Sequence, residues 1–255
     1  MSLHLPGLAD EAALVPLPVF DTIRDRLGFT TTHHGTLLVA GEHGTGKRVA
    51  TLTVLDEQDI PVLALDTPPA ATPTELTRAL HQALHTDRDT LDLREMQDEI
   101  VETLHGRPGI IAFTHAEDLS HKAAAQLQYL HSRPGAQWSL VLVAGPGIER
   151  LLAATARLRG DVTATVEVAR LRGEDLMRFV RALHPLFGAA DTDLLVAIDQ
   201  QVCKGLPKNW ARFLQVALDL HRRTAPDPQS MPVLDTRFAR ATTHLLPRTR
   251  PTRSR

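Results

Sequence analysis

Short apolar segments alternate with longer segments of helical spacing over the first two thirds of the chain. Residues 36–40, 62–65, 109–113, 139–144 and 163–168 are predicted as strands. Helical spacing occurs over residues 19–27, 75–84, 91–104, 119–131 and 148–158, and a helix can also follow residue 47. Strands that are apolar on both faces are typical of a parallel sheet covered by helices. The pattern therefore predicts an α/β fold with a parallel five-stranded sheet sandwiched by helices.

The pattern changes after residue 171. Residues 174–186, 192–202 and 208–221 all have helical spacing, and no strand is predicted between them. We therefore expect a small all-helical second domain. The predicted organisation is an N-terminal lead over residues 1–16, an α/β core over 17–172, the helical domain over 173–223, and a linker with a basic tail over 224–255.

Charge gives no general reason for the protein to bind nucleic acid or an anionic membrane. The net charge is −2, so such contacts would have to come from a local patch. One candidate is the basic tail, which contains Arg248, Arg250, Arg253 and Arg255. These side chains could contact the phosphates of DNA or RNA without reading its sequence, or could simply be solvated.

Cysteine content and apolar runs suggest a cytoplasmic protein with no membrane contact. Cys203 is the only cysteine, which excludes a disulfide framework and fits a reducing compartment. The N-terminal residues lack the pattern of a signal peptide, and the apolar runs are too short to cross a bilayer.

Residues 41–47, GEHGTGK, match the phosphate-loop pattern G-x-x-x-x-G-K between a predicted strand and a predicted helix. Glycines let successive backbone N–H groups face one anion, and the following helix adds the positive end of its dipole. Lys47 would contact the β- and γ-phosphates. The alternative is an ordinary glycine-rich turn. The predicted site for ATP or ADP consists of Gly41, Glu42, His43, Gly44, Thr45, Gly46, Lys47, Arg48 and Val49.

The residues that should hold Mg²⁺ differ from the usual pattern. Arg48 replaces the Ser or Thr whose hydroxyl binds the metal, and a guanidinium cannot be a metal ligand. Thr114 and His115 stand where an Asp and a Glu should follow the third strand. A role for Mg²⁺ is therefore doubtful, and we expect weak or absent hydrolysis.

Three nearby side chains are candidates for residual chemistry. His115 could act as a base toward water, or could be a solvated loop residue. Glu117 and Asp118 could hold a metal from unusual positions, or could be acids favoured at a helix start.

Several segments carry a resemblance to a known family. They are TLLVAGEHGTGKRVAT (36–51), LALDTPPAATPTELTRALHQAL (63–84), GIIAFTHAEDLS (109–120), SLVLVAGPGIERLLAATARLRGDVTATVEVARL (139–171) and KGLPKNWARFLQVAL (204–218). In this order they resemble the AAA+ ATPases, and among these the TniB, TnsC and MuB transposition ATPases and the ExeA-like proteins. The resemblance covers roughly residues 17–222.

The resemblance implies a P-loop core with a helical lid, ATP-dependent homo-oligomers, DNA contact, and a partner such as a transposase. It places Lys208 where the lid usually carries an arginine that senses the γ-phosphate, although a solvated lysine is an equal alternative. The polar sensor after the fourth strand falls at Gly145-Pro146. The arginine-finger position falls near Gly160-Asp161, with Arg157 and Arg159 close by. Either arginine could substitute, although the favoured interpretation is a solvated residue at a helix end.

No other chemistry has a comparable pattern. The histidines form no metal-binding motif, so no metal ligand is predicted, and Cys203 is interpreted as a core residue of the helical domain. Three hypotheses remain. The first is a nucleotide-binding regulatory or scaffolding subunit that hydrolyses weakly or not at all, in DNA transposition or another mobile-element process. The second is an active ATPase whose Mg²⁺ has unusual ligands such as Glu117 or Asp118, and the third is an interaction module that no longer binds nucleotide.

Overall fold

A computed structural model describes residues 14–84, 92–225 and 232–246. The chain divides into two compact units. The first contains residues 18–43 and 47–169. Of the described residues, the second contains 14–17, 44–46 and those from 170 onward. Most of the predicted N-terminal lead, residues 1–13, lies outside the described residues.

The first unit contains the predicted parallel five-stranded sheet, so the predicted fold class is confirmed. The strands are β1 (Thr36–Gly41), β2 (Val62–Asp66), β3 (Gly109–Thr114), β4 (Trp138–Ala144) and β5 (Val162–Val168). Their order across the sheet is β2-β3-β4-β1-β5, and every neighbouring pair is parallel. The carboxyl ends of all five strands therefore lie at one edge, which is where α/β proteins place their ligands.

Burial follows the position of each strand in the sheet. All seven residues of β4 are buried, and β1 and β3 are buried over most of their length. The edge strands β2 and β5 alternate between more and less exposed residues. Continuous apolar segments thus mark the central strands, since both faces of these strands are covered by helices.

The helices of the first unit are α1 (Pro18–Thr32), α2 (Lys47–Asp56), α3 (Pro73–Leu84), α4 (Leu93–Leu104), α5 (His121–His131), α6 (Ile148–Ala154) and α7 (Ala156–Asp161). The segment predicted as one helix over residues 148–158 is two helices, because the backbone leaves the helical region at Thr155, with φ −125° and ψ 72°. A short 3₁₀ turn, Ala116–Asp118, precedes α5.

The second unit contains only helices among its described residues. They are α8 (Gly173–Leu183), α9 (Pro185–Gly188), α10 (Thr192–Ile198), α11 (Pro207–Thr224) and α12 (Thr236–Leu245), with a π-helical segment at Asp199–Cys203. Its core includes Phe187, Trp210, Phe213 and Cys203, all fully buried. Burial raises the pKa of the Cys203 thiol, which keeps the thiol protonated and unreactive.

Helix α12 corrects the prediction that residues 224–255 form only a linker and a tail. The Asp235 side chain caps the helix by accepting a hydrogen bond from the Phe238 amide at 2.7 Å. Ala239 and Thr242 are buried, and Leu234 before the helix is buried as well. The fully buried residues of the helix are small, and Phe238 packs only partly buried against the core, so the apolar spacing is weak. The predicted tail arginines 248, 250, 253 and 255 lie outside the described residues.

No helix in the described ranges is both long and apolar enough to cross a membrane.

Candidate nucleotide site

The loop after β1 has the backbone that its glycines predict. Gly44 and Gly46 have φ values of 93° and 86°, in the left-handed region that favours glycine. Lys47 begins helix α2 directly after the loop. The amide groups at the start of this ten-residue helix, together with the loop amides, can therefore face an anion.

Lys47 is held close to the loop. Its side chain is 9% exposed, and its ammonium group donates a hydrogen bond to the Glu42 carbonyl at 3.1 Å. Burial lowers the pKa of Lys47, and the negative charge of Glu117 opposes this shift. The hydroxyl of Thr51 donates to the Lys47 carbonyl at 2.8 Å, so Thr51 serves the helix rather than a ligand.

Arg48 and Thr114 are joined by one carboxylate, that of Asp66 at the end of β2. The Arg48 guanidinium donates to Asp66 Oδ2 at 2.9 Å, and the Thr114 hydroxyl donates to Asp66 Oδ1. Asp66 and Thr114 face each other in the register of β2 and β3. Asp66 was not among the predicted site residues, although its place at the end of a predicted parallel strand was a usable signal.

These contacts do not fit a magnesium ion held in the usual way. The two positions that should supply a hydroxyl and a carboxylate instead supply a guanidinium and a hydroxyl, and both are hydrogen-bonded to Asp66. A guanidinium repels a cation and has no lone pair to offer. Within the described ranges, no three His, Cys, Asp or Glu side chains are grouped to hold a metal.

Glu117 lies beside the loop in a space that Gly145 leaves open. A Cβ atom built on Gly145 would lie 2.4 Å from Glu117 Oε1 and 2.5 Å from His43 Cε1. Glycine at the predicted sensor position therefore makes room for both side chains. Glu117 Oε2 is buried and has no hydrogen-bond partner among the described residues.

His115 does not join this group. Its backbone is left-handed, with a φ of 57°, and its side chain is exposed. Its carbonyl accepts a hydrogen bond from the Asp118 amide at 2.9 Å, which closes the 3₁₀ turn. The predicted role of His115 as a base therefore receives no support from a neighbouring group.

The remaining predicted positions lie on exposed surface. Lys208 is in the first turn of α11, its side chain is exposed, and its amide donates to the Gly44 carbonyl at 3.1 Å within the second unit. Arg157 and Arg159 are exposed residues of α7. Sensing of the γ-phosphate by Lys208 and a finger role for either arginine stay predictions.

Comparison with known proteins identifies the fold. Residues 30–152 match the family model described as an AAA domain. No curated protein is significantly similar to the chain.

Three solved structures illustrate the structural similarity. The Aeropyrum pernix ORC1 protein in complex with DNA has a TM-score of 0.64 at 15% identity, over 91% of this chain and 66% of that one. The Aeropyrum pernix ORC2 protein, in ADPNP–ADP complexes, has a TM-score of 0.63 at 12% identity, over 92% and 70%. The Thermotoga maritima RuvB Holliday junction branch migration motor has a TM-score of 0.59 at 13% identity, over 89% and 69%.

At these identities the likeness shows the fold alone, and the chain covers about two thirds of the ORC1 structure. The predicted P-loop AAA+ fold is confirmed. The narrower resemblance to transposition ATPases stays a prediction.

Proposed function

Starting from the AAA domain at residues 30–152, we propose that this protein binds ATP or ADP at residues 41–49 and hydrolyses ATP weakly or not at all. The observation that carries the proposal is the contact of Arg48 and Thr114 with Asp66 beside an otherwise suitable phosphate loop. The loop glycines and Lys47 favour an anion, whereas the neighbouring positions reject a divalent cation.

The physical reason lies in the transition state. Phosphoryl transfer places charge on the oxygens of the moving group, and metal ions normally neutralise that charge. Binding in the ground state depends less on the metal, because backbone amides and a lysine also bind phosphates. A site that keeps the loop and lacks both metal anchors therefore retains binding better than turnover.

We further propose that the protein acts as a regulatory or scaffolding subunit in DNA transposition or another mobile-element process. The resemblance to the TniB, TnsC and MuB ATPases supports this role. The similar ORC1 structure contains DNA, and the similar RuvB protein is a branch migration motor. The exposed arginines 157 and 159 would then reach the nucleotide of a neighbouring copy.

Nucleotide affinity with and without Mg²⁺ tests the proposed binding. We expect ATP and ADP to bind with little effect of Mg²⁺, and we expect ATP turnover far below about 1 s⁻¹. Lys47→Ala should weaken binding by roughly 10- to 100-fold, since a hydrogen bond to a charged group is lost. Lys122→Ala, which removes an exposed lysine of α5, is the matched control.

Other outcomes of this measurement would support the competing hypotheses. Strong dependence on Mg²⁺ together with turnover would indicate an active ATPase with unusual ligands. No binding of either nucleotide would indicate an interaction module. Equal affinity of the parent and the Lys47→Ala variant would contradict any role for the loop.

Assembly is tested by light scattering with and without nucleotide. We expect ATP or ADP to increase the molar mass, and we expect Arg157→Ala with Arg159→Ala to reduce the increase. DNA binding measured over a salt series would show a slope from phosphate contacts if DNA is a ligand. A transposase gene beside this one would support the transposition role.

A further inference from the structure

Glu117 places a negative charge at one end of the nucleotide site. Its Oε1 atom and the His43 Cε1 atom both lie within 2.5 Å of the point where a Gly145 Cβ would be. His43 belongs to the phosphate loop, and Gly145 directly follows β4. The carboxylate therefore borders the loop itself, at the strand edge where the phosphates of a nucleotide would lie.

The position of Glu117 near Lys47 indicates which phosphate of a bound nucleotide would lie closest to Glu117. In a phosphate loop the lysine contacts the β- and γ-phosphates, whereas the loop amides hold the α- and β-phosphates. Glu117 is close enough for its charge to act on the Lys47 ammonium. The carboxylate thus faces the end of the site that a third phosphate would enter.

Within the first unit, few positive charges are available to that third phosphate. Arg48 is engaged with Asp66 at 2.9 Å, and the metal that would neutralise a triphosphate has no anchors. A γ-phosphate would compete with Glu117 for Lys47 and would lie near the buried Glu117 Oε2 atom, which has no hydrogen-bond partner among the described residues. A diphosphate would leave the attraction between Glu117 and Lys47 in place.

We propose that Glu117 makes the site selective for a nucleoside diphosphate over a nucleoside triphosphate. The inference rests on the proposed nucleotide binding and adds the preferred ligand and the residue that sets the preference. Glu117 acts as a fixed anion beside the place of the terminal phosphate. The protein would then hold ADP as its resting ligand whether or not Mg²⁺ is present.

The test compares the affinities of ADP and ATP by calorimetry in the presence of EDTA. Two like charges a few ångströms apart at a partly exposed site give a preference for ADP of about tenfold or more. Glu117→Gln keeps the shape and removes the charge, so it should bring the ratio of the two affinities close to one, mainly through tighter ATP binding. Glu149→Gln removes an exposed carboxylate of α6 and should leave the ratio unchanged.

Gly145→Ala provides an independent second variant. Its new methyl group must displace the ends of the Glu117 and His43 side chains, so we expect the preference for ADP to fall without removal of any charge. Circular dichroism checks that both variants remain folded.

Each result decides between the two proposals. If neither nucleotide binds the parent protein, the proposed function fails and the selectivity fails with it. If both bind equally, or if Glu117→Gln leaves the preference intact, only the selectivity is overturned. Tighter ATP than ADP binding with Mg²⁺, lost in Glu117→Gln, would instead make Glu117 a metal ligand.

Discussion

At the scale of single residues, the candidate nucleotide site differs from an ordinary phosphate-loop site in the side chains at two positions. A cationic side chain, Arg48, stands where a metal ligand should be, and the carboxylate that it contacts comes from β2 rather than β3. Thr114 joins the pair through the same carboxylate. These side chains explain why we expect nucleotide binding to depend little on Mg²⁺ although the phosphate loop is intact.

Restoring the two metal anchors should restore the dependence on Mg²⁺. In Arg48→Thr with Thr114→Asp, a hydroxyl and a carboxylate return beside Asp66, and these oxygens suit Mg²⁺. We expect Mg²⁺ to strengthen ATP binding by about tenfold or more in this variant and by less than about twofold in the parent. Calorimetry with and without EDTA measures the change. An equal response of the two proteins would show that Arg48 and Thr114 do not decide metal use.

Nucleotide affinity should also depend on alkaline pH. Burial lowers the pKa of the free Lys47 side chain, and a bound phosphate would raise it again. Nucleotide affinity is then highest below the pKa that Lys47 has without nucleotide. Above that pH it falls by up to about tenfold per pH unit, until the pH reaches the pKa that Lys47 has with nucleotide bound. The fall should begin at a lower pH than for an ordinary lysine.

Titration of ADP binding between about pH 7 and pH 10.5 measures this fall. Lys47→Arg is the matched control, because its guanidinium stays charged throughout and its affinity should stay flat, although weaker. A flat profile for the parent would show that Lys47 does not titrate in this range.

At the scale of elements, helix α12 depends on its cap and on a buried face of small residues. Asp235 accepts from the Phe238 amide at 2.7 Å. Asp235→Ala should lower the free energy of unfolding of the second unit by about 1 kcal/mol. Arg240→Ala, an exposed change in the same helix, should have an effect below about 0.5 kcal/mol. Urea unfolding followed by Trp210 fluorescence compares the two, and equal effects would contradict the capping role.

At the scale of the whole molecule, each unit has its own apolar core and its own tryptophan. Trp138 is 1% exposed in the core of the first unit, and Trp210 is 0% exposed in the core of the second. A variant with either residue changed to Phe would therefore report on one unit at a time.

Nucleotide should stabilise the unit that carries β1 and α2. With ADP at about 100 times its Kd, mass action adds about 2.7 kcal/mol to the free energy of unfolding. We expect this gain when unfolding is followed through Trp138 in Trp210→Phe, and we expect Lys47→Ala to remove most of it. An unchanged unfolding curve in saturating ADP would contradict binding at this site.

Features with local causes could be predicted from the amino-acid sequence. Apolar segments bounded by turns predict the five strands, because the burial of a strand depends on its own residues and its place in a parallel sheet. The loop at residues 41–47 could be predicted for the same reason. Its conformation depends on two glycines in left-handed conformations and a lysine at a helix start, which need no distant partner.

Tertiary structure alone decided the contacts between distant residues. Asp66 meets Arg48 and Thr114 through the pairing of β2 with β3. Glu117 borders the loop because a glycine at position 145 leaves space for it. The buried residues of α12, Ala239 and Thr242, are small, and their role depends on the core that they cover. Strand register and the space beside a glycine both depend on how distant segments pack. These contacts could therefore not be predicted from a single sequence.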